Sequence, residues 1–163
     1  MEAEDFAAMD LTKSYPRSPK HKMLGIVALA RTIDKARAFN AGRLGEYDYD
    51  CEQDVPLFEF LGTNGAEFAA KVAELETDEK FGAWVLEKLK NRTPADIERF
   101  NHERMQWHAK PGEPGYERFL KRRDQVAPGR HDVVTYFDLM DLDEKRPLLR
   151  ATELARIVEH TIL

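Results

Sequence analysis

The segment Leu29-Ala-Arg-Thr-Ile-Asp-Lys-Ala-Arg-Ala-Phe39 constrains this chain more than any other, because it sets Arg31, Asp34, Lys35 and Arg37 inside an otherwise apolar helical run. Charges carried toward a core need partners or water. Most residues from Leu24 to Ala41 are apolar, more than the one-sided stripe of a surface helix requires. The pattern predicts a long central helix, opened by Ser18 and Pro19 and stopped at Gly42 in a left-handed conformation. Asp34 lies three residues from both Arg31 and Arg37, so one carboxylate faces three cations. That surplus asks for an anion: another acidic side chain, or a ligand carboxylate or phosphate. The plainer account is a solvated arc of ordinary helix-surface ion pairs.

The rest of the chain reads as all-α, a single compact multi-helix orthogonal bundle with at most one short extended segment near 45–51. A length of 163 residues suits one domain with its own core. Residues 1–14 read as a loose N-terminal arm and 15–163 as a single helical domain, with 148–163 as an extra C-terminal helix after Pro147. Short helices are expected over 54–61, closed by Gly62, from Asn64 to about Leu75, and from Thr77 through Leu89. Thr93-Pro-Ala-Asp96 is a capping box. Lys110 to Gly115 reads as loop, Tyr116–Val126 as helix, and Asp132 to about Leu142 as helix.

Charge and composition narrow the partners. A net charge of −5 argues against nucleic acid. The longest uncharged apolar run, Met23–Ala30, is far short of the ~20 residues of a membrane span. Met1 to Asp10 is acidic and lacks a basic residue, unlike a secretory signal. Cys51 is the only cysteine, which excludes an intramolecular disulfide and suits a reducing compartment. These features point to a cytoplasmic protein with no nucleic-acid or membrane partner; oligomeric state stays open.

Other constellations are weaker. Tyr47, Tyr49 and Cys51 alternate with acids, as on one face of a short strand, where the phenols can wall a pocket. Trp84 is a further candidate wall. Asp138, Asp141, Asp143 and Glu144 form an acidic cluster that can answer the cations of the first helix, although a solvated helix face is the plainer account. Its spacing is not a calcium loop, and no histidine pair has zinc spacing, so no metal is expected. Ser14 and Ser18 are the only serines, and there is no phosphate-cradling loop or dinucleotide fingerprint, so no cofactor is expected either. The basic cluster Lys13, Arg17, Lys20, His21 and Lys22 reads as solvated surface.

Asp10-Leu-Thr, Pro16-Arg-Ser-Pro19, Ala30-Arg-Thr-Ile-Asp-Lys-Ala-Arg-Ala38, Gly45-Glu-Tyr and Tyr136-Phe-Asp-Leu-Met-Asp-Leu-Asp143 together resemble the bacterial domain-of-unknown-function family numbered 5069, over roughly residues 10–144. The resemblance implies that Arg31, Asp34, Lys35 and Arg37 sit in the family's signature helix, and implies no activity, substrate or cofactor. Where that family often has Leu-Pro, this chain has Leu29-Ala30.

Two functions fit these residues. One is a non-catalytic protein binding a small anionic molecule or a protein partner through Arg31, Asp34, Lys35, Arg37, Tyr47, Tyr49, Trp84 and Asp138. The other is an enzyme using Asp34 or Asp138 as general base, with Arg31 or Lys35 stabilising developing negative charge. No complete catalytic set can be assembled from the sequence, which favours the first.

Overall fold

The computed structural model describes residues 9–148. Among them are seven helices and no strand: α1 Leu29–Ala41, α2 Val55–Leu61, α3 Gly65–Leu75, α4 Asp78–Lys88, α5 Pro94–Gln106, α6 Pro114–Val126 and α7 Tyr136–Asp143. The chain divides at Gln106–Trp107 into two compact units. Among the described residues, no helix is long and apolar enough to cross a membrane.

In the first unit, α1 packs on α3, and α3 also meets α2 and α4. Ile26, Leu29, Ile33, Leu57, Leu61, Phe68, Phe81 and Val85 are fully buried there. Each such side chain contributes about 1.5–3 kcal/mol of burial. From Leu29 to Ala38 every residue of α1 is buried, the four charged ones included. That is the central helix its composition predicts.

The helix starts later than expected. Ser18 and Pro19 close a turn, in which the Ser18 hydroxyl accepts the Lys20 N–H, rather than opening a helix. Met23 and Ile26 then exchange both backbone hydrogen bonds around Leu24 and Gly25, whose φ values are +54° and +76°. Two positive φ values in a two-residue loop make a tight hairpin turn, in which leucine is out of place. Ala28 is left-handed as well, at φ +69°, and sits immediately before α1. Asn101 of α5 fixes this loop from outside: its Oδ1 accepts the Val27 N–H at 3.0 Å, and its Nδ2 donates to the Gly25 carbonyl at 2.8 Å. A side chain 74 residues away thus takes backbone groups that a helix would have used.

The remaining boundaries follow local chemistry. Gly42 and Gly62 end α1 and α2 in left-handed conformations. Asn64 and Thr77 cap α3 and α4. Thr93 and Asp96 form the reciprocal capping box of α5, with bonds of 3.1 and 2.9 Å. Two starts differ from expectation. Pro114 occupies the first turn of α6, where its missing N–H does no harm. Thr135, not Asp132, caps α7 by accepting the Asp138 N–H at 3.2 Å.

The segment 45–51 contains turns and bends and no strand. Of the expected arm, residues 1–8 lie outside the described residues, as does the expected C-terminal helix beyond Leu148. Within 9–14, Leu11 is buried and donates its N–H to the Arg43 carbonyl.

The second unit centres on Ala109, Phe119, Val133, Leu139 and Leu148, with α6 against α7. The Trp107 ring lies 4.1 Å from Tyr136, and its carbonyl accepts the Tyr136 N–H.

Candidate functional site

Arg17 organises the buried charges. Pro16 on one side and the Ser18-Pro19 pair on the other restrict its neighbours to extended backbone. Its N–H and Nε donate to Asp34 Oδ2 at 2.8 and 3.1 Å, and its Nη2 donates to Asp34 Oδ1 at 3.0 Å. The same guanidinium donates to Asp78 through Nη1 at 2.8 Å and Nη2 at 3.3 Å. Arg37 reaches the same two acids, donating from Nη2 to Asp78 Oδ1 at 3.0 Å and lying 3.9 Å from Asp34. Two arginines and two aspartates thus close a four-member network. The side chains of Asp34 and Arg37 are 2% and 4% exposed, whereas those of Arg17 and Asp78 are 30% and 29% exposed. The network is sealed at α1 and opens at its outer edge.

Burial lowers the Arg17 pKa, but its bonds to Asp78 and Asp34 outweigh that and hold it above the ordinary guanidinium value. Burial raises the Asp78 pKa, yet hydrogen bonds and charge from Arg17 and Arg37 leave its carboxyl below the ordinary value of 3.8.

A second cluster lies on the other arc of α1. Lys35 donates to both oxygens of Asp54, at 2.8 and 3.0 Å, and both side chains are 4% exposed. The Asp50 N–H donates to Asp54 Oδ2 at 2.9 Å, and Cys51 Sγ lies 3.7 Å from the same oxygen. Gly65, at the start of α3, lets the Asp50 carboxylate approach: a Cβ there would stand 2.3 Å from the Asp50 carboxyl carbon.

Arg31 donates to the Arg17 carbonyl at 3.2 Å, with its guanidinium 5.6 Å from the Tyr47 ring centre. Tyr49 donates its hydroxyl to the Gly65 carbonyl at 2.7 Å and stacks on Phe39. Burial first, then the charges of Asp54 and Asp50, push this phenol well above its ordinary value of 10.0. Tyr47 and Tyr49 do not share a strand face, because no strand forms. Trp84 packs among Phe68 and Phe81 with Lys88 over its ring. Asp138 lies in the second unit, buried in the first turn of α7.

Among the acids that meet the α1 cations are Asp34, Asp54 and Asp78. Within the second unit, Arg122 pairs with Asp143, and Arg146 with Asp141 and Glu144. The burial of four charges on α1 is thus legible in the sequence, whereas their partners Arg17, Asp54 and Asp78 are not. Arg17 reads in sequence as part of a solvated basic cluster, although the prolines around it signal a fixed backbone. Asp54 and Asp78 look like ordinary helix-start acids. Among the described residues, no group of three or more His, Cys, Asp or Glu side chains is placed to hold a metal ion.

A comparison with curated proteins finds no match. The model of one family, described as a domain of unknown function, matches residues 13–146, a span that contains both clusters. The chain therefore belongs to the DUF5069 family.

Proposed function

We propose that this protein is a non-catalytic binding protein for a small molecule carrying a carboxylate or phosphate, received at the outer edge of the arginine network. The observation that carries this reading is Asp78, a partly exposed carboxylate that bridges Arg17 and Arg37. A ligand anion that takes its place keeps both guanidinium groups paired, and Arg17 offers the planar fork that suits carboxylate and phosphate. The engagement of the buried groups supports binding over catalysis. Asp34 already accepts three N–H groups of Arg17. Lys35 is held by both oxygens of Asp54. A general base needs a free lone pair within reach of its substrate.

Thermal shift and calorimetry with inorganic phosphate and citrate, against chloride at matched ionic strength, test the reading. Saturation at 100 times Kd adds about 2.7 kcal/mol of apparent stability. Asp78→Asn removes the competing charge, so phosphate is expected to bind about tenfold tighter, equivalent to ~1.4 kcal/mol. Absence of any phosphate or citrate shift in both proteins overturns the proposal.

A further inference from the structure

Cys51 does not stand alone. Its Sγ lies 3.7 Å from Lys35 Nζ and 3.7 Å from Asp54 Oδ2. The Lys35 side chain is 4% exposed and comes to the sulfur from inside the fold, held by both oxygens of Asp54. One carboxylate therefore positions an amine and a thiol side by side. Cys51 itself is only partly buried, unlike Lys35 and Asp54. The loop carrying it is fixed at two further points, by the Asp50 N–H on Asp54 and by the Tyr49 hydroxyl on the Gly65 carbonyl.

We propose that Cys51 and Lys35 form an oxidation-responsive cross-linking site, in which a hydroperoxide oxidises the thiol and the lysine amine captures the oxidised sulfur, tying the 44–54 loop to α1. In the first step the peroxide O–O bond breaks and an S–O bond forms. Sulfur loses two electrons to become a sulfenic acid, and the peroxide is reduced to water or an alcohol. In the second step Lys35 gives one proton to Asp54, and its free amine attacks sulfur. The S–O bond breaks, and hydroxide leaves as water with a second proton from the nitrogen. The product is a sulfenamide, S–NH, and the protein has lost two hydrogens overall. Capture of a sulfenic acid by a neighbouring nitrogen is established thiol chemistry. An arginine at the same place would stay protonated and could not serve as the nucleophile. The site is distinct from the arginine network and needs no ligand there.

Intact-mass measurement and peptide mapping of the full chain after one equivalent of hydrogen peroxide test the proposal. Native protein is expected to lose the mass of two hydrogens and to yield a peptide joining Lys35 to Cys51, reversed by dithiothreitol. Lys35→Arg keeps the charge facing Asp54 and is expected to abolish the link, leaving Cys51 with added oxygen. The wild-type chain unfolded in urea supplies a control that needs no variant to fold: with proximity gone, it is expected to gain oxygen without the link. The proposal is overturned if native protein accumulates oxygenated Cys51 without the linked peptide, if Cys51 stays a thiol, or if the link forms equally in urea.

Discussion

Asp34 sits where two arginines converge, and its side chain is 2% exposed. Its removal leaves Arg17 and Arg37 with Asp78 as their common carboxylate and puts uncompensated positive charge beside a closed core. Breaking a buried pair costs far more than the pair contributes, because the surviving charge stays desolvated. Asp34→Ala is therefore expected to destabilise the fold by about 3–5 kcal/mol. Urea unfolding with an unchanged denaturant slope measures this directly. A loss under about 1 kcal/mol would be the value of a solvent-exposed pair and would contradict the burial of this group.

At the scale of elements, the decisive feature is the loop before α1. Apolar periodicity carries on through Leu24–Ala28, yet Leu24, Gly25 and Ala28 all adopt positive φ. Asn101 stabilises that conformation by satisfying the Val27 N–H and the Gly25 carbonyl. Val27 is fully buried, so its N–H has no water to turn to once the amide is gone. Asn101→Ala is expected to cost about 1–3 kcal/mol, the desolvation penalty of an unmet backbone donor. Faster hydrogen exchange at Val27 should accompany it. Unchanged exchange at that amide would show that α5 does not hold the loop. By contrast, the starts of α3, α4 and α5 and the stops of α1 and α2 are legible in the sequence. Their caps lie within three or four residues of what they cap, as in Thr93–Asp96 and at Gly42.

For the whole molecule, the Arg17–Asp34–Arg37–Asp78 network ties the segment before α1 and the start of α4 to α1 itself. It also links stability to pH. Asp78 has its carboxyl pKa depressed in the folded state, so its contribution is complete above the ordinary carboxylate value of 3.8 and is lost as pH falls through the lower folded value. The unfolded chain binds the proton more readily, which pulls the equilibrium toward unfolding in acid. Urea midpoints recorded from neutral pH to about pH 3 are expected to stay level down to about pH 5 and then decline. Asp78→Asn should remove part of that decline. Equal acid slopes in the two proteins would show that this carboxyl is not coupled to folding.

The sequence alone determined that the protein is helical, that α1 is central, and that four charges travel inward with it. Those are local matters of apolar density, capping residues and breakers, which act over one or two turns of chain. Tertiary structure decided which groups answer the charges: Arg17 for Asp34, Asp54 for Lys35, and Asp78 for Arg37. It also decided that residues 19–28 form a strained loop and not a helix. Ion pairs between residues 17 to 61 positions apart, and an asparagine bonded to backbone 74 positions away, leave no periodic trace. A carboxylate at the head of a helix looks the same in sequence whether it faces water or two arginines, since only packing sets its surroundings.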